Sequence, residues 1–165
     1  MAEDLRLRPL DERDEAAARQ AQAELAADDF DFLLEVDPDE PWAEYVARLR
    51  QYARGLDLAP DRVPATFLGA FVGRELVGRV SVRHELNDYL RRVGGHIGYG
   101  IRPGSRRRGY ATEVLRQSLV VARSLGVERA MLTCDDGNVG SATVIERLGG
   151  VLQDVSGGSR RYWIS

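Results

Sequence analysis

The segment from residue 96 to residue 136 restricts this chain's fold more than any other. It opens with HIGYGIR, a run of strand-forming residues at 96–102, breaks at Pro103-Gly104, and passes through Arg106-Arg107-Arg108-Gly109. Over residues 109–126, Ala111, Val114, Leu115, Ser118, Val121, Ala122 and Leu125 recur at helical spacing, and Gly126 ends the pattern. RAMLTCDD, residues 129–136, then reads as a strand. Strand, long helix and strand in one unbroken stretch predict a crossover with the helix laid over a sheet.

The rest of the chain supplies partners for that sheet. ATFLGAFV (65–72), Gly73-Arg74 and LVGRVSVRH (76–84) predict a hairpin, and the alternation of Leu5, Leu7 and Leu10 predicts a first strand. After Asp11 an alanine-rich stretch predicts a helix over 12–28, and Trp42, Tyr45, Val46 and Leu49 share one face of a second helix that Gly55 can end. ELNDYLRRVGG reads as a polar connection; a short helix is expected over 140–148 and two closing strands near 150–155 and 160–164. The expected class is α/β (α+β) in a single domain over 1–165, with six to seven strands and about four helices.

Composition narrows the chemistry. All 23 basic residues are arginine, so a Walker A phosphate loop, a protein-kinase strand lysine and lysine Schiff-base catalysis are excluded. Cys134 is the sole cysteine, and with only His84 and His96 besides, no metal site is expected. No apolar run approaches twenty residues, so no membrane partner is expected, and the acidic start does not read as a signal peptide. The expected location is cytoplasmic. Net charge is −3, yet residues 1–61 carry 17 acids against 7 arginines while residues 62–165 carry 9 against 16. Such asymmetry fits either two partners of opposite charge or an acidic half packed on a basic one.

The turn RPGSRRRGYAT places free backbone N–H groups and the positive end of a helix dipole at one point, which is a site for an anion, most naturally a diphosphate. A dinucleotide fingerprint fails because Pro103 stands where the third glycine belongs. No aromatic platform or extended basic face accompanies the arginines, so no nucleic-acid partner is expected.

Here the sequence resembles the Gcn5-related N-acetyltransferases, the GNAT superfamily. Their acyl-coenzyme A signature is matched by Arg106-Arg107-Arg108-Gly109-Tyr110-Ala111, and a second family segment by Asn138, Ser141 and Gly149 in CDDGNVGSATVIERLGG. LND, GGHIGYGIRP, RRGYAT and IERLGG further resemble a bacterial subgroup of predicted acetyltransferases. The resemblance implies a largely antiparallel mixed sheet with a splayed parallel pair at its centre, the first strand of the pair running through Tyr99, Gly100, Ile101 and Arg102 and its partner over 130–135. Acetyl-CoA is the implied co-substrate, with pantetheine along Tyr99 to Arg102 and diphosphate on the amides from Arg107 to Thr112. Gly98 and Gly100 fit either a bulge that opens the gap or ordinary close packing. Asn138 suits either a contact to the pantetheine arm or a simple helix cap. A homodimer is one arrangement the resemblance allows.

The implied reaction is direct attack of an acceptor amine on the thioester, which needs a proton acceptor and an acid for the leaving thiolate. Many relatives carry a tyrosine acid where this chain has Ile145, leaving Tyr99 or Tyr110, unassisted thiolate departure, or a non-catalytic acyl-CoA binder. His96 and Glu85 are the candidate bases, each with a purely structural alternative. Cys134 reads as a small buried hydrophobe. The acceptor is expected beside the acidic segment 28–41, with Phe32, Glu35 and Asp136 as candidate contacts and a cationic amine as the favoured class.

Overall fold

The computed structural model describes residues 2–165. Seven strands, β1 (Leu5–Arg8), β2 (Ala65–Val72), β3 (Glu75–Arg83), β4 (Ile97–Ile101), β5 (Ala130–Asp135), β6 (Val151–Ser156) and β7 (Ser159–Ile164), alternate with five helices, α1 (Glu15–Ala26), α2 (Trp42–Ala53), α3 (Asp88–Arg92), α4 (Tyr110–Ser124) and α5 (Val139–Arg147). The strands form two antiparallel sheets, in the orders β1-β2-β3-β4 and β5-β7-β6. This is the mixed α/β architecture expected. Among the described residues no helix is long and apolar enough to cross a membrane.

Strand alternation assigns each face of the first sheet. Leu68 and Ala70 of β2, Val80 and Val82 of β3, and Ile97 and Ile101 of β4 join one core cluster with Val114, Leu115 and Ala122 of α4. Phe67 and Phe71 of β2 and Leu76 of β3 join a second cluster with Ala18, Ala21 and Leu25 of α1 and Trp42, Tyr45, Val46 and Leu49 of α2. Both helical stripes anticipated for α2 and α4 are therefore buried. Polar atoms within them are satisfied: Trp42 Nε1–H donates to Asp11 O at 2.9 Å, Tyr45 Oη–H to Leu34 O at 2.9 Å, and Ser118 Oγ–H to Val114 O at 2.6 Å.

Two expectations need correction. The first helix begins at Glu15 and not at residue 12, because Asp11 and Asp14 cap a preceding 3₁₀ turn over Glu12–Asp14, and Arg8 grips Asp14 through two hydrogen bonds. The polar connection after β3 contains α3, nucleated where Asn87 Oδ1 accepts the Leu90 N–H at 2.9 Å and Leu90 turns inward. That raises the helix count from about four to five.

At the centre β4 and β5 lie side by side as the splayed pair expected, Tyr99 near the end of β4 reaching Ser141 of α5, the element that follows β5, and the sheets are clasped by an isolated bridge between Gly95 and Leu132 just before β4 begins. His96 N–H donates to Met131 O at 2.7 Å beside it. Beyond that joint β4 pairs with β3 and β5 with β7, so β4 and β5 share no ladder and the sheet is open between them. The β3–β4 register runs without a shift, so Gly98 and Gly100 do not mark a bulge.

Candidate functional site

Where β4 parts from β5, a cleft of about 690 Å³ opens between the end of β4, the turn into α4 and the start of α5. Its floor is main chain. Arg107 and Gly109 both take left-handed backbone conformations, with φ of 64° and 80°. Alternating with neighbours of ordinary hand, such residues turn successive N–H groups toward one point, the pattern of an anion-binding nest. Gly109 is the N-cap of α4 and brings no side chain to satisfy the helix, whose first amides at Tyr110, Ala111 and Thr112 have no acceptor within it. Unpaired amides and the positive end of a 15-residue helix thus face the cleft.

Of the expected cofactor contacts, Tyr99, Gly100, Ile101, Arg106, Arg107, Gly109, Tyr110, Ala111, Thr112, Asn138 and Ser141 all line this cleft. Two do not. Arg102 is turned away, held by Glu24 through two hydrogen bonds of 2.9 Å and by Leu76 O at 3.0 Å. Arg108 is exposed and lies outside the lining. Arg106 lies along the rim, donating to Ile101 O at 3.2 Å and pairing with Asp28 at 3.0 Å. Asn138 caps α5, its Oδ1 accepting the Ser141 N–H at 3.1 Å, so the cap and the cleft wall are the same residue.

The Tyr99 hydroxyl spans the cleft from β4 to α5, hydrogen-bonded to Ser141 Oγ at 3.0 Å. Burial raises its pKa, so the phenol keeps its proton at neutral pH. The position that relatives give to tyrosine, Ile145, is fully buried in the core.

The two candidate bases lie elsewhere. His96 is buried at the joint between sheets, its Nδ1 accepting the Met131 N–H at 2.9 Å, and it does not line the cleft. Burial first, then Arg83 and Arg91, hold its pKa below the usual histidine value, which favours the neutral ring, and its Nδ1 is engaged by Met131. Glu85 is exposed in the turn after β3, also outside the cleft.

The expected acceptor contacts are scattered. Phe32 is fully buried in the second core cluster. Glu35 pairs with Arg62 and accepts from Tyr52 Oη at 3.2 Å. Asp136 pairs with Arg160 at 2.6 Å and lines neither this cleft nor the cavity described below. The aromatic that does reach the cleft is Phe30, whose ring packs so tightly on Gly100 that a β-carbon there would lie 2.5 Å from it.

Residue-type reasoning missed Arg79 and Arg83. In VGRVSVR their alternation with valines looks like an ordinary solvated strand face, but the segment after α1 covers Arg79 and the Gly94-Gly95 turn beyond α3 holds Arg83. Arg79 is fully buried, donating to Phe32 O at 3.1 Å, Asp31 O at 2.7 Å and Gly98 O at 3.0 Å, with its guanidinium 4.4 Å from the Phe30 ring centroid. Burial, then the charge of Arg83, draws its pKa to about 9, which leaves it protonated at neutral pH.

No curated protein sequence matches the chain. Among solved structures, a Salmonella typhimurium acetyl transferase described as modifying the N-terminal serine of ribosomal protein L7/L12 superposes with a TM-score of 0.68 at 20% identity, covering 98% of this chain and 94% of that one. Mycobacterium smegmatis RimJ in complex with CoA-disulfide gives 0.68 at 20%, covering 97% and 81%. A spermidine N-acetyltransferase chimera built from the Vibrio cholerae enzyme gives 0.64 at 19%, covering 98% and 95%. These likenesses concern the fold. The family model described as "Acetyltransferase (GNAT) domain" matches residues 4–151, and on that match the chain belongs to the GNAT acetyltransferase family.

Proposed function

We propose that the chain, acting as one domain over residues 1–165, is an N-acyltransferase that moves acetyl from acetyl-CoA to a primary amine by direct attack in a ternary complex. The observation that carries this reading is the set of unpaired amides at Tyr110, Ala111 and Thr112 opening onto a cleft of about 690 Å³. Acetyl-CoA supplies the activated acyl group. The nest at Arg107 to Gly109 and the start of α4 would hold its diphosphate, Arg107 adding charge from the rim. The open edge of β4 at Tyr99 and Gly100 would pair with the amides of the pantetheine arm.

As the acceptor nitrogen bonds to the carbonyl carbon, the carbon–sulfur bond breaks, the amine's surplus proton passes to water, and the sulfur needs a proton of its own. Tyr99 would supply that proton, a role supported by its hydroxyl facing the cleft and hydrogen-bonded to Ser141. Neither His96 nor Glu85 lines the cleft, so water serves as proton acceptor in this reading. The work would take place in the cytoplasm, where acetyl-CoA is made.

A second reading, an acyl-CoA binder without turnover, is favoured by one observation: the residue at the usual tyrosine acid position, Ile145, is fully buried. Calorimetry with acetyl-CoA followed by thiol release across an amine library separates the two. Binding with turnover supports the enzyme, binding without turnover supports the second reading, and no binding ends both.

A further inference from the structure

A second cavity, of about 300 Å³, lies on the other side of the Phe30 and Arg79 layer. Leu49 and Tyr52 of α2, Phe67 of β2, Leu90 of α3 and the loop residues Leu58 and Val63 give it a largely apolar wall. Its charged lining residues are Glu35, Asp61 and Arg62 and, half-buried at the end of β3, Arg83. Arg83 Nη1 donates to Gly94 O at 3.1 Å and Gly95 O at 3.2 Å, and among the described residues Arg83 makes no ion pair. The charged side chain that acts on it most is another guanidinium, Arg62 at the mouth, itself held by Glu35.

Arg79 and Arg83 share the same face of β3 but differ in what remains to be bonded. Arg79 uses Nε, Nη1 and Nη2 on three carbonyls. Arg83 uses Nη1 alone, leaving Nε and Nη2 without a protein acceptor. Those two donors keep contact with solvent, and a bound carboxylate would take both in a two-pronged, charge-assisted hydrogen bond.

The cavity approaches β4 through Arg83. A β-carbon at Gly98 would lie 3.4 Å from both Nη1 and Nη2 of Arg83, and the next two residues of β4, Tyr99 and Gly100, line the cleft. Of the seven acids in 28–41, Asp28, Glu35 and Glu40 pair with Arg106, Arg62 and Arg48, and the cavity wall itself carries Glu35 and Asp61 against Arg62 and Arg83.

We propose that the acceptor is an amine carrying an apolar body and a carboxylate, seated with its body in this cavity and its carboxylate on Arg83 so that the amine points along β4 toward the thioester. This rests on the acyltransferase reading and replaces the cationic acceptor suggested by the acidic segment with an amphipathic anion. A polyamine would bring positive charge against the guanidinium groups of Arg83 and Arg62.

The test is a backbone-amide NMR titration of the full chain. Acetyl-CoA is added first and should shift Gly109 to Thr112. 3-Phenylpropionate, 3-phenylpropanamide and 3-phenylpropylamine are then titrated separately. The carboxylate should bind about tenfold or more tightly than either analogue and shift Arg83, Leu90 and Gly94. Equal or tighter binding of the amine, shifts outside the cavity, or no shift with the carboxylate overturns the proposal. Arg83→Met should abolish the preference while leaving the acetyl-CoA response intact, and a retained preference overturns it; if that variant does not fold, the ranking of the three probes on the wild type decides alone. Failure of acetyl-CoA to shift its own residues would instead sink the acyltransferase reading, with the carboxylate preference still measurable.

Discussion

Two groups of arginines flank the cleft, and they are built on opposite terms. Arg106, Arg107 and Arg108 stand exposed on the turn into α4, where the ligand-facing groups are backbone amides and the side chains only add charge at the rim. On β3, Arg79 lies buried with three carbonyls around it, and Arg83 lies half-buried with donors to spare. A site made of main chain tolerates loss of side chains, whereas one made of buried charge does not. The run of arginines that stands out in the sequence should therefore matter less, residue for residue, than the two isolated ones.

The largest effect should come from Arg79→Leu. It leaves the carbonyls of Asp31, Phe32 and Gly98 without donors, and about 3 kcal/mol or more of stability should be lost, roughly 6–12 °C in melting temperature for a chain of this size. A melt within a degree or two of wild type would show that buried charge is no more sensitive than the exposed turn. Next is Gly109→Asp, which forces a side chain into a backbone with φ of 80° and sets a carboxylate at the nest. Acetyl-CoA affinity should fall about a hundredfold by calorimetry, or ~2.7 kcal/mol; an unchanged Kd would mean that the diphosphate lies elsewhere.

Tyr99→Phe removes the hydroxyl bonded to Ser141 but keeps the ring. Thiol release should slow about tenfold to a hundredfold in kcat with acetyl-CoA affinity unchanged, and a wild-type kcat would remove Tyr99 from the chemistry. His96 gives a smaller, pH-dependent effect. Its folded pKa lies below the ordinary value, so the unfolded chain takes up a proton first as pH falls below about 6.5. The stability contributed by the neutral ring is complete above that pH and is lost as pH falls toward the lower folded value. His96→Asn, which can keep the acceptor for Met131 N–H, should flatten this acid limb in melts taken from pH 7.5 to 5. His84, also lowered by burial, retains part of the slope. Smallest is Arg108→Ala, exposed and outside the cleft lining, which should change stability by less than about 0.5 kcal/mol and acetyl-CoA affinity by a factor of two or so.

What the sequence made legible follows the same division. Local patterns were readable: the stripes of α2 and α4, the hairpin of β2 and β3, and the glycine that starts α4 each depend on neighbours within a few residues. The short helix α3 was hidden because its start rests on one asparagine amid polar residues. His96 fits a base by residue type, and only the approach of Met131, 35 residues away in sequence, shows its acceptor nitrogen to be occupied. Arg79 and Arg83 were unreadable for a related reason: Arg79 is covered by a segment nearly fifty residues earlier and Arg83 is held by the Gly94-Gly95 turn beyond α3, and periodicity cannot distinguish water from either.

The joint at Gly95 has a mechanical consequence. The two sheets are clasped where Gly95 meets Leu132 and His96 meets Met131, and a β-carbon at residue 95 would collide with the Met131 carbonyl. The pin of this clasp is therefore bare backbone, with no room for a side chain to act as a shim. The width of the slot is set at one end by that contact and can vary only at the other, so the two sheets behave as the arms of a tweezer with a fixed pivot.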